Sequence, residues 1–121
     1  MHHVPNMTWF ETVVDDAVDN LPDWVVERID NLLILVEEEP PAEIEAEHGD
    51  LLGIYDGVNL LERSEEYWGA LPDQITIFRG PHVRMGLSET ELRSEVRKTL
   101  LHELAHHIGI EDDRLTEIGW D

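Results

Sequence analysis

This 121-residue chain is expected to fold as an α+β domain, with a small sheet packed on one long helix. Three features carry that expectation. Ser88-Glu89-Thr90-Glu91 is a capping box, and Leu92, Val96, Leu100, Leu101, Leu104, Ala105 and Ile108 follow it at helical spacing. Gln74-Ile75-Thr76-Ile77-Phe78-Arg79 alternates and is rich in β-formers. Leu32-Leu33-Ile34-Leu35-Val36 is a short continuous apolar run of strand length.

The N-terminal residues 1–7 are expected to be an unstructured start, His2 and His3 included. Thr8-Trp9-Phe10-Glu11 reads as a second capping box. Trp9, Phe10, Val13, Val14, Ala17, Val18 and Leu21 then recur at helical spacing, which predicts an amphipathic helix over 8–20. Pro22 suits a first helical turn, so a short helix to about Arg28 follows. The apolar run at 32–36 predicts a buried strand, stopped by Glu37-Glu38-Glu39-Pro40-Pro41. Residues 42–50 are acidic and read as a solvated loop or a ragged helix. Leu51 to Gly57 predicts a second strand, with Val58 to Leu61 as its partner and a loop over 62–73. Gly80-Pro81 should break the strand at 74–79. The long helix spans about 88–108, and a last short helix is expected over 112–118. Nothing in the pattern marks a linker or a repeat, so residues 1–121 are read as one domain.

Composition narrows the function. Hydrophobic residues make up 41%, enough for a modest core. With no cysteine, disulfides and thiolate metal sites are excluded, and any metal must be held by nitrogen and oxygen. Twenty-eight acids against eight bases give a net charge of −20, and Lys98 is the one lysine. Nucleic acid binding depends on neutralising phosphates with Lys and Arg, so a nucleic acid partner is not expected. An anionic membrane surface is disfavoured on the same ground. The start of the sequence lacks the basic and apolar regions of a signal peptide, and no stretch approaches the ~18 apolar residues of a span. A soluble, cytoplasmic protein is the expectation.

The chemistry concentrates in residues 102–112. His102-Glu103-Leu104-Ala105-His106 is an H-E-x-x-H motif on the predicted long helix. Four residues turn a helix by about 400°, so His102 and His106 stack on one face and can grip one ion. Glu103 stands beside the first ligand and can act as general base on a water whose pKa zinc lowers to about 7. That chemistry suits hydrolysis of a peptide or amide bond. A catalytic zinc uses three protein ligands plus water. Gly109 can end the helix and turn the chain back, and the spacing offers Asp112 as third ligand. Glu111 and Asp113 are alternatives at neighbouring positions, and Glu117 is a poorer one. His107 is one step off the ligand stripe and reads as a supporting or surface histidine. The strand near Gly53-Ile54-Tyr55-Asp56-Gly57, or the one ending at Arg79, could offer an edge on which a peptide substrate adds as a strand.

Three segments together resemble the small bacterial minimal zincin, or zincin-like metallopeptidase, family. They are Gly53-Ile54-Tyr55-Asp56-Gly57, Leu71 to Pro81 and His102 to Asp112. The resemblance covers about residues 8–119. It implies a compact α+β core around a long H-E-x-x-H helix and a Zn2+ cofactor. His102, His106 and Asp112 would be the zinc ligands, Glu103 the catalytic base, and a peptide or protein the substrate. No methionine follows Asp112, so the Met-turn of the larger metzincin clan is missing.

Two further functions fit parts of the pattern. In one, zinc only stabilises an acidic interaction protein and no bond is cut. In the other, a similar ligand set hydrolyses RNA, which the net charge of −20 opposes. The charge itself suits a salt-rich medium, where screening relieves repulsion between acids. The melting temperature is therefore expected to rise from low salt to molar salt, read by circular dichroism; a steady fall would contradict it.

Overall fold

The computed structural model describes residues 4–57 and 71–110. Chain order is α1 (Met7–Asp19), α2 (Asp23–Val26), β1 (Leu32–Glu37), α3 (Ala42–His48), β2 (Gly53–Asp56), β3 (Asp73–Phe78), α4 (Arg79–Val83) and α5 (Glu89–Ile108). The α+β expectation is met: a three-stranded sheet carries helices, and α5 packs against α1, β2 and β3.

Helix α1 starts earlier than its sequence suggests. Asn6 is the N-cap, and its Oδ1 accepts the Trp9 N–H at 2.9 Å. Thr8 already lies inside the helix, where its carbonyl accepts the Thr12 hydroxyl. The capping box read at Thr8 to Glu11 therefore does not form, because Asn6 satisfies the same kind of orphan N–H two residues upstream. Phe10, Val13, Val14 and Ala17 form the buried face of α1. Helix α2 stops at Val26 rather than near Arg28, and Pro22 caps it instead of entering its first turn.

In the sheet, β3 lies between its neighbours, in the order β1-β3-β2. β1 runs parallel to β3, with Ile34 opposite Ile75. β2 runs antiparallel, with Tyr55 also opposite Ile75. Opposite residues share a face, so Ile75 and Ile77 meet Leu32, Ile34, Val36 and Tyr55 over one core. β1 is only half-buried: Leu32, Ile34 and Val36 meet the core in part, and Leu33, pointing the other way, is 48% exposed. The continuous apolar run had suggested burial on both faces. α3 forms where a loop or ragged helix was expected, and it buries no residue.

Gly80-Pro81 ends β3 by opening α4, a helix the sequence reading did not foresee. Proline in a first turn loses no helical hydrogen bond, so it starts this helix as readily as it stops the strand. The partner strand expected at 58–61, most of the loop at 62–73 and the short helix at 112–118 lie outside the described residues. Among the described residues, no helix is long and apolar enough to cross a membrane.

β2 comes close to α5 at one point. A Cβ on Gly53 would lie 2.7 Å from Thr99 Cγ2 and 3.1 Å from the Thr76 carbonyl oxygen. One of these neighbours is backbone and cannot rotate away. Gly53→Ala is expected to cost about 1–3 kcal/mol, the usual scale of overpacking. Urea unfolding would show it as a lower midpoint, and an unchanged midpoint would mean that β2 and α5 tolerate a wider gap.

Candidate metal centre

Helix α5 is fixed at both ends by its own sequence. At its start the Ser88 hydroxyl accepts the Glu91 N–H, and the Glu91 carboxylate accepts the Ser88 N–H, each at 3.2 Å. Hydrogen bonding from the Ser88 side chain, and then from its backbone N–H, holds the Glu91 carboxyl below its ordinary pKa. At its end Gly109 takes φ 93°, in the left-handed region. The Ile110 N–H bonds the Ala105 carbonyl at 2.8 Å, and the Gly109 N–H the His106 carbonyl at 3.1 Å, which is a Schellman ending. Both termini match the sequence reading.

Between these ends, packing sets the rotation of the helix. Leu92, Val96, Leu100, Leu104, Ala105 and Ile108 are buried. His102 and His106 consequently emerge on another side, partly exposed, with ring centres 4.7 Å apart. Glu103 lies beneath them and is 8% exposed. Its Oε2 is 3.4 Å from His106 Nδ1. One ligand-capable atom from each of His102, Glu103 and His106 falls within 4.8 Å of the others. Two imidazoles converging at this range fit one divalent cation, their nitrogen donors suit zinc, and the Glu103 carboxylate stands beside them. Asp112, the expected third ligand, lies outside the described residues, as do Glu111, Asp113 and Glu117.

A cleft of about 360 Å3 opens beside this group. The segment from Asp50 to Gly53 forms one wall, and Glu95, Lys98, Thr99, His102 and Glu103 the other. Gly53 and Thr99, which approach each other closely, both line it. β2 is an edge strand: among the described residues nothing pairs with the side turned away from β3. β3 is paired on both sides, so the strand ending next to Arg79 cannot receive an added strand. Of the two edges considered from sequence, β2 remains.

Two buried histidines support this region. His82, on α4, has its Nδ1 2.7 Å from the Phe78 carbonyl and its Nε2 3.0 Å from the Thr99 hydroxyl. Burial lowers the His82 pKa, opposed by the Phe78 hydrogen bond and the Glu95 charge. The neutral ring then donates from Nδ1 to Phe78 and accepts from Thr99 at Nε2. Thr99 Oγ1 also lies 3.0 Å from the Glu95 carbonyl, so its one proton serves two acceptors.

His107 is fully buried, which removes the surface alternative for this residue. Its Nε2 accepts the Asp30 backbone N–H at 3.3 Å, which places the ring proton on Nδ1. That Nδ1–H donates to Asp73 Oδ2 at 2.9 Å. The Tyr55 hydroxyl donates to the same oxygen at 2.5 Å. Asp73 is 2% exposed, so its carboxylate depends on such donors. Sequence reasoning gave no role to Asp73, Tyr55 or His82. An acid opening an otherwise uncharged strand was the available signal.

A family model described as zincin-like metallopeptidase matches residues 29–120, more than two thirds of the chain. The match takes in the sheet and α5 and begins after α1 and α2, later than the resemblance read from about residue 8. No curated protein matches the chain.

Proposed function

The chain belongs to the zincin-like metallopeptidase family, and from that premise we propose that it is a zinc-dependent peptidase acting through the His102–Glu103–His106 group. The convergence of these three side chains, with His102 and Glu103 lining a cleft, is the observation that carries the reading. His102 and His106 would hold the ion, with Asp112 as third ligand; Glu111 or Asp113 could serve in its place. When bound, zinc supplies Lewis acidity, polarising a substrate carbonyl and acidifying a water molecule.

The remaining steps fall to the chain itself. Glu103, poised at the cleft wall, takes the proton from the attacking water on a carboxylate oxygen. It then returns that proton to the departing amine. Its low exposure keeps bulk water from competing for the carboxylate. The outer side of β2 can receive an extended peptide by backbone hydrogen bonds, which would give affinity with little sequence preference. Leu51, Leu52 and Gly53 would then lie under the substrate next to His102.

Glu103→Gln tests the assignment, because glutamine keeps the size and loses the base. The variant is expected to keep the parent's zinc content by elemental analysis and to lose peptide-library cleavage by roughly 10²–10⁴-fold, the usual contribution of a general base. Full cleavage by the variant would remove Glu103 from the mechanism. Zinc in the parent with no cleavage would favour the non-catalytic, zinc-stabilised alternative.

A further inference from the structure

We propose that Asp73, Tyr55 and His107 form a positioning clamp that holds the His106 ring in place for the metal. The proposal rests on the reading of His102 and His106 as ligands. His106 stands in the last turn of α5, two residues before the helix ends at Ile108. The Schellman ending pairs the Ala105 and His106 carbonyls, but it fixes backbone alone. A ligand there needs restraint that helical hydrogen bonds do not supply.

His107, the next residue, provides it from two directions. Its Nδ1–H is tied to Asp73 at the start of β3, and its Nε2 to the Asp30 N–H in the turn before β1. The turn and the strand are themselves joined, because the Asp73 N–H donates to the Asn31 carbonyl at 2.9 Å. Asn31 takes φ 50° to make that turn, a conformation asparagine tolerates better than most residues. The loop closes on itself: helix end, strand start and turn. Tyr55 locks it from β2 through its hydroxyl, and its ring meets His107 edge-on with centres 6.0 Å apart. A Cβ on Gly57 would collide with the Asp73 carboxyl group, so glycine leaves room for it.

A core built for stability alone has no need of this arrangement. Well-packed apolar side chains serve as well as a buried charge or better. Hydrogen bonds add direction: they fix the orientation of the last helical turn more narrowly than the non-directional contacts of Leu104 and Ile108 do. The residue so fixed is covalently joined to His106. Asp73, Tyr55 and His107 are therefore positioning residues, none of them in the His102–Glu103–His106 group.

Tyr55→Phe keeps the ring and removes one donor, and Asp73→Asn removes the charge. Ser88→Ala is the control: it weakens α5 at its far end, away from the clamp. Zinc affinity is read by chelator competition, Co2+ binding by visible absorption, and stability by metal-free melting. Tyr55→Phe is expected to weaken zinc about 10-fold, the lower end for outer partners of metal ligands, and to alter the Co2+ spectrum. Ser88→Ala should melt lower with zinc affinity unchanged. Equal affinity in parent and Tyr55→Phe, or an equal loss in Ser88→Ala, would overturn the clamp while leaving the metal reading intact. If Asp73→Asn does not fold, Tyr55→Phe decides alone. A parent that binds no zinc would overturn both.

Discussion

The structure depends on the rotational setting of α5. This helix belongs to the hydrophobic core and to the candidate metal centre at once. Leu100 and Leu104 are fully buried, as is Val96 one turn earlier. At about 100° per residue, fixing those positions fixes where His102, Glu103 and His106 point. A small rotation would bury an imidazole or lift Glu103 out of its shelter. Burial of several large aliphatic side chains, each contributing about 1.5–3 kcal/mol, opposes such a rotation. The chemistry thus inherits its precision from packing.

Where the helix ends, polar contacts join the packing of Leu104, Ala105 and Ile108. The Schellman ending at Gly109 closes the backbone, and the His107–Asp73 bond ties the final turn to the central strand. On the cleft side, Gly53 lets β2 approach Thr99, and His82 holds the Thr99 hydroxyl from behind. Edge strand, helix and supporting α4 meet along a short stretch of α5, one turn before the His-Glu-His group. The acidic surface stands outside this machinery. Its ordered ion pairs, such as Arg84 with Glu39 and Asp50, join the segments around α3 to α4. Those hydrogen bonds lower the Glu39 and Asp50 pKa values.

What was legible in the sequence was local. The ends of α5 follow from Ser88, Glu91 and Gly109, and the i, i+4 histidines follow from helix geometry. β1, β2 and β3 were readable as strands from apolar runs and alternation. Partnerships were not. Which strand lies in the middle is decided by pairing between positions as distant as Leu32 and Asp73, so either β2 or β3 could have been the edge. The Asp73–His107 bond joins residues 34 positions apart and leaves no periodic trace. Competition between neighbouring signals caused the remaining differences. Asn6 outcompeted Thr8 as a cap, and Gly80-Pro81 both ended a strand and began a helix. The candidate third ligand, Asp112, falls beyond the described residues, so its reading still rests on spacing.

Crystals grown with zinc and measured on both sides of the zinc absorption edge test the central claim most directly. The account predicts an anomalous peak between the His102 and His106 imidazoles, within bonding distance of a nitrogen from each, with Glu103 outside the ligand set. Peaks confined to the acidic surface, with none between these two histidines, would contradict it.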